Sequence, residues 1–149
     1  MKWIVYVFSI AIALFQLNTG ARNTIEWETN YEQAFKMAKK ENKNVLVYFT
    51  GSDWCGPCKM LKKDLFETEA FNTLSKDYVL LYIDIPRNKD LLTPAEYKQN
   101  KELLQKWNKR GVFPLLLAVS AKQKVLDEYS GYSMNGEVGY HLQFLEKNK

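Results

Sequence analysis

The sequence predicts an α/β fold with a central mixed β-sheet flanked by helices on both faces. Three observations predict it. The element order reads helix–strand–helix–strand–helix–strand–strand–helix. The strand runs are short, apolar and rich in β-branched and aromatic residues, and turn residues bound them. The chain of 149 residues is long enough for one domain with a single core and carries no internal repeat or low-complexity tract.

Each element has its own signal. Trp27 comes first, followed by Tyr31–Asn42, where Ala34, Phe35 and Ala38 recur at helical spacing with lysines and glutamate opposite. Val45–Phe49 reads as a buried strand, and Thr50-Gly51-Ser52-Asp53 as the turn after it. From Cys55 to Phe66 the apolar residues Met60, Leu61, Leu65 and Phe66 fall at helical spacing, and Ala70–Ser75 extends or repeats that helix. Tyr78–Ile85 is a second strand run, ended by Pro86, and Pro86–Leu92 is loop-like. Thr93-Pro94-Ala95-Glu96 starts a helix: Thr93 caps, Pro94 suits the first helical position, and Glu96 reaches back to complete a capping box. Tyr97, Leu103, Leu104 and Trp107 supply its apolar face. Leu115–Ser120 and Val125–Tyr129 are strands joined by the polar turn Ala121-Lys122-Gln123-Lys124. Val138, His141, Leu142 and Leu145 mark a closing helix with Asn135 as its cap, and His141 is expected as a surface or half-buried packing residue.

Residues 1–21 read as a signal peptide and residues 22–149 as the folded domain. Met1-Lys2 is a short basic start, Trp3–Leu17 is apolar except for Ser9 and Gln16, and Thr19-Gly20-Ala21 offers small residues where a signal peptidase reads. The expected location is the periplasm or the exterior. An uncleaved amino-terminal anchor facing the periplasm is the alternative, although Gln16–Thr19 makes the stretch short for a span. The net charge of +4 is too small and too evenly spread to argue for nucleic-acid binding.

Cys55 and Cys58 are the only cysteines, and they stand at the strand-to-helix junction as Cys55-Gly56-Pro57-Cys58. A staple of this spacing closes a tiny loop worth roughly 2 kcal/mol, about half of what a long loop gains. A zinc site lacks partners, since His141 is the sole histidine, so no metal is expected. The reading left is a redox dithiol, suited to an exported chain because disulfides persist there. Helix-start amides and the positive end of the helix dipole stabilise a thiolate on Cys55, and Cys58 lies one turn on, partly buried, within reach of it.

The stretch Phe49–Lys59, F-T-G-S-D-W-C-G-P-C-K, resembles the active site of the thioredoxin superfamily, in particular secreted bacterial members with a Gly-Ser-Asp-Trp lead-in. The similarity runs from about Trp27 to Leu145. Gly111-Val112-Phe113-Pro114 resembles the cis-proline loop of that family, and Gly131-Tyr132 the turn before its last helix.

The resemblance implies a thioredoxin-like fold and thiol–disulfide exchange without a bound cofactor. Cys55 attacks a disulfide of a client protein, and Cys58 resolves the mixed disulfide. Gly56 admits backbone, Pro57 restricts the turn, and Lys59 raises thiolate character modestly. Trp54 either shields the dithiol and meets clients or simply packs. Pro114, if cis, sets Phe113 beside the disulfide for strand-like pairing with substrate; a plain trans proline at a strand edge is the alternative. The glycine-proline spacer favours a reductase, which in an oxidising compartment implies a membrane dithiol electron donor. An isomerase or oxidase, or a client-binding module with little redox role, are the competing functions.

Three departures from the family pattern stand out. Phe113 replaces a smaller or β-branched residue. Tyr48 occupies the strand position where thioredoxins carry a buried acid, with Asp53 solvated in the loop and Asp84 expected to cap or bond a loop. The segment between Asp84 and Val112 is longer than usual and reads as a surface elaboration or a partner-recognition element.

Overall fold

The computed structural model describes residues 25–149. The expected signal peptide and its cleavage point lie outside the described residues. The chain runs α1 (Tyr31–Glu41), β1 (Asn44–Thr50), α2 (Gly56–Leu61), α3 (Glu69–Ser75), β2 (Tyr78–Asp84), α4 (Pro94–Trp107), β3 (Leu115–Val119), β4 (Val125–Ser130) and α5 (Gly139–Lys147). The sheet order is β2-β1-β3-β4. β1 pairs parallel with β2 and antiparallel with β3, and β3 pairs antiparallel with β4, so the sheet is mixed as expected.

Alternation along β1 builds two cores. Leu46 and Tyr48 point to one face, where α2, α3 and α5 bring Leu61, Phe71 and Leu145. Val45, Val47 and Phe49 point to the other, where α1 and α4 bring Ala34, Phe35 and Leu103. The first face carries a tight aromatic group. The Trp27 ring lies 5.2 Å from Phe66 and 5.9 Å from Tyr48, and Tyr48 meets Phe66 edge-on at 4.7 Å.

Several local expectations hold. Thr93 and Glu96 form the capping box, with Thr93 N–H donating to Glu96 Oε2 at 3.0 Å and Glu96 N–H to Thr93 Oγ1 at 3.2 Å. The long segment before β3 is anchored by this helix: the buried Asn100 donates to the Asp84 carbonyl at 2.9 Å, and Trp107 packs on Phe35 and Tyr31 of α1. Pro86–Leu92 is not all loop, since Lys89–Leu91 forms a 3₁₀ turn begun by the Asn88 side chain.

Other expectations need correction. The helix begun at Gly56 widens into a π-helical turn over Lys62–Phe66, which carries Leu65 and Phe66 together into the core. Met60, read as part of its apolar face, is exposed because Cys58, Leu61 and Leu65 take the inward direction. Asn135 does not cap α5. Its side chain accepts from the Glu137 amide in a turn upstream, and Val138 holds the cap position without a side-chain bond. Residues before α1 also add to the sheet: Glu28 bridges Leu81, with Glu28 N–H donating to the Leu80 carbonyl at 2.9 Å.

His141 is buried rather than on the surface, at 3% exposure. It lies edge-on to Tyr129 and Tyr132, its Nε2 is 3.3 Å from the Gly131 carbonyl, and its Nδ1 has no partner. Burial pushes its pKa below the ordinary 6.5. The unfolded chain therefore takes up a proton that the folded chain resists, and stability falls as pH drops below about 6.5. Urea midpoints measured between pH 7.5 and 5 are expected to fall in the wild type and to fall less steeply in His141→Gln.

Candidate active site

The site is built where β1 ends. Its backbone turns at Gly51, whose carbonyl accepts from the Cys55 amide at 2.8 Å and from the Trp54 amide at 3.2 Å. Gly51 is needed there, because a Cβ on it would lie 2.2 Å from the Trp54 indole. Cys55 then caps α2, and the Cys58 amide donates to Cys55 Sγ at 3.2 Å. Pro57 stands in the first helical turn, where its missing N–H costs nothing. Cys55 and Cys58 are joined as a disulfide with their Cα atoms 5.3 Å apart.

Both cysteines are buried, at 3% and 2% exposure, so Cys58 is more enclosed than the partly buried residue expected. Gly56 is exposed, and a Cβ there would meet nothing within 4 Å. No neighbour in this chain requires a glycine at that place.

Trp54, next to Cys55 in the chain, stands together with Phe113. Their rings meet edge-on at 5.2 Å, the Trp54 indole N–H donates to the Ile85 carbonyl at 2.8 Å, and the Arg87 guanidinium lies 5.2 Å over the indole. The Phe113–Pro114 peptide is cis. The loop before it is clamped by buried Asn108, which bonds Val112 through both ends of its amide at 2.8 and 3.0 Å. The Pro114 carbonyl accepts from Gly131 N–H at 2.9 Å. Lys59 is exposed, with Nζ 3.4 Å from the Asp53 carbonyl.

Asp53 does more than face solvent. Its carboxylate accepts from the Arg87 and Asn88 amides at 3.0 and 2.9 Å and so holds the start of the long segment against the site. The bond from Asn88 and that from Arg87 keep its carboxyl below the usual range. Tyr48, in the place of the expected acid, is buried beneath α2 and donates its hydroxyl to the Cys58 carbonyl at 3.2 Å. Burial holds that phenol far above its ordinary pKa. Tyr82 beside it is likewise raised by burial, to about 12.

A cleft of about 770 Å³ opens on this side, and Cys58, Tyr48, Thr50, Ser52 and Tyr82 share its wall. Ser52 on that wall is held by the buried Asp84, which accepts from the Ser52 amide at 2.8 Å and from the Ser52 hydroxyl at 2.5 Å, the loop bond expected of it. Among the described residues no group of three or more His, Cys, Asp or Glu converges as metal ligands would. Sequence reasoning placed Gly51 in the turn but missed its close approach to Trp54, and it missed Asn108 and the Ser52–Asp84 link. An asparagine and a glycine around the end of α4 were the available signal for Asn108; the Ser52–Asp84 link joins residues far apart in the chain.

Comparison with known proteins accords with this geometry. Residues 26–121 match the family described as thioredoxin-like. The chain is 27% identical over 128 residues to the disulfide bond reductase DsbH of Chlamydia pneumoniae, covering 85% of this chain and 75% of that one. It is 26% identical over 121 residues to the thioredoxin-related protein DsbJ of the same organism, covering 80% of this chain and 34% of that one. Among solved structures, a DsbH oxidoreductase superposes with a TM-score of 0.73 at 24% identity, covering 91% of this chain and 94% of that one. A thioredoxin from Thermus thermophilus superposes with a TM-score of 0.61 at 16% identity, covering 83% and 85%. With the family match spanning most of the domain and a disulfide capping the helix after β1, the chain belongs to the thioredoxin-like family and is, in class, a thiol–disulfide oxidoreductase.

Proposed function

We propose that this protein is an exported reductase of protein disulfides. The observation that carries the reading is the Cys55–Cys58 pair at a helix start, flanked by Trp54 and Phe113 with open space above Gly56. In the reduced protein the Cys58 amide supports a thiolate on Cys55, which attacks a client disulfide. The mixed disulfide forms as the client bond breaks. Cys58 then displaces the client thiolate and closes the Cys55–Cys58 bond, so two electrons pass to the client.

The apolar pair Trp54 and Phe113, with Arg87 over the indole, is the surface a client meets, and the backbone at Phe113–Pro114 is where an extended segment aligns. Gly56 leaves room for that segment. Lys59 adds a weak, salt-screened positive field. The cycle needs no bound cofactor. Repeated turnover needs an electron donor, and outside the cytoplasm a membrane dithiol relay is the class that supplies it. The leader at residues 1–21 supports export to the periplasm. The spacer Gly56-Pro57 and the relative named as a disulfide bond reductase support the reducing direction.

The wild-type mature chain is expected to reduce insulin with dithiothreitol as donor. Cys58→Ser is expected to accumulate a covalent adduct with insulin through Cys55, seen by mass spectrometry and released by reductant, whereas Cys55→Ser forms none. A wild type that leaves insulin intact, or an adduct carried by Cys58 instead, contradicts the reading.

A further inference from the structure

The resolving step demands a base. Cys58 must lose its thiol proton before it can attack Cys55 of a mixed disulfide. Cys58 is buried at 2% exposure, where a thiol resists ionisation. Tyr48, bonded to the Cys58 carbonyl, cannot serve, because its hydroxyl donates there and burial holds it protonated far above neutral pH.

Asp84 is the one buried carboxylate among the described residues. It ends β2 in register with Thr50 of β1, on the same sheet face as Tyr48 and Tyr82. Both of its oxygens are engaged by Ser52, one by the amide and one by the hydroxyl. Ser52 in turn lines the same cleft as Cys58. That cleft carries the Thr50 and Ser52 side chains on its lining along with Cys58, and it is large enough for solvent to connect them.

From this arrangement we infer that Asp84, acting through the Ser52 hydroxyl and solvent in the cleft, is the proton acceptor for Cys58. The inference deepens the reductase reading and rests on it. The proton passes from Cys58 Sγ to solvent and through Ser52 to the Asp84 carboxylate, which becomes a carboxylic acid. The Cys58 thiolate then bonds to Cys55 Sγ, the Cys55–client bond breaks, and the client leaves as a thiolate. Asp84 returns its proton to solvent afterwards, so charge and protons balance over the cycle.

The ionisable groups that line the cleft are poor substitutes. Tyr82 from β2 is raised to about 12 by burial. Lys59 and Lys62 present ammonium donors and no acceptor. Glu67 and Glu69 are exposed to solvent. A buried acid in the strand below Cys58 is thus replaced by one on the neighbouring strand, reached laterally.

The test is stopped-flow reaction of the fully reduced mature protein with 5,5′-dithiobis(2-nitrobenzoate) from pH 5.5 to 9. Attack by Cys55 releases the first thionitrobenzoate, and resolution by Cys58 releases the second. In Asp84→Asn the second phase is expected to slow by at least about tenfold relative to the first at pH 7, and its pH profile to move upward until it meets the wild type in base. Ser52→Ala is expected to shift the second phase in the same direction and leaves the carboxylate in place should Asp84→Asn fail to fold. An unchanged second phase and pH profile in a folded Asp84→Asn, or in Ser52→Ala where Asp84→Asn does not fold, overturns the inference. Wild-type chain that shows both phases yet leaves insulin intact overturns the reductase reading alone.

Discussion

Strand β1 is the constraint from which the rest of the structure follows. It hydrogen-bonds to a neighbour on each side, and its residues from Val45 to Thr50 are buried. A strand buried on both faces needs helices above and below it, which the chain supplies as α2, α3 and α5 on one side and α1 and α4 on the other. The same strand fixes the site. It delivers Gly51 and Cys55 at the carboxyl end of the sheet, where parallel β2 also ends with Asp84, and crevices at such ends are where α/β sheets do their chemistry.

The consequence is a dithiol held by its surroundings more than by its own short loop. The Tyr48 hydroxyl holds the Cys58 carbonyl from below, and the Trp27, Phe66 and Tyr82 rings hold Tyr48 in turn. Trp54 is pinned on three sides, by the bare Cα of Gly51, by the Ile85 carbonyl and by Phe113. Placing a phenol where thioredoxins carry an acid trades a charge for a packed aromatic group. It removes the desolvation cost of a carboxylate in that core, and it leaves the proton of Cys58 to be handled from the side.

How much of this was legible in the sequence depended on how local each signal is. The Thr93–Glu96 box lies within one helical turn, so its spacing is enough to read it. The cysteine motif is similarly compact, and the short, apolar, β-branched and aromatic run Val45–Phe49 was enough to read a buried strand. Asn135 failed because its side chain satisfied a nearer amide, a competition between turn and cap that sequence does not rank. His141 has the polarity of a surface residue, yet it is enclosed by Tyr129, Tyr132 and the Gly131 carbonyl, all supplied by β4 and the turn after it. The Ser52–Asp84 bond spans 32 residues, and the Glu28 bridge to Leu81 joins segments without any shared period, so neither leaves a local trace.

The central claim is that this pair works as a reductant, and its reduction potential tests that most directly. Equilibrating a chain of residues 22–149 with defined thiol–disulfide buffers and quantifying the Cys55–Cys58 disulfide gives the value. The account predicts a potential near about −270 mV, in the range of reducing thioredoxins. A potential near about −120 mV would make the protein a strong oxidant and contradict it.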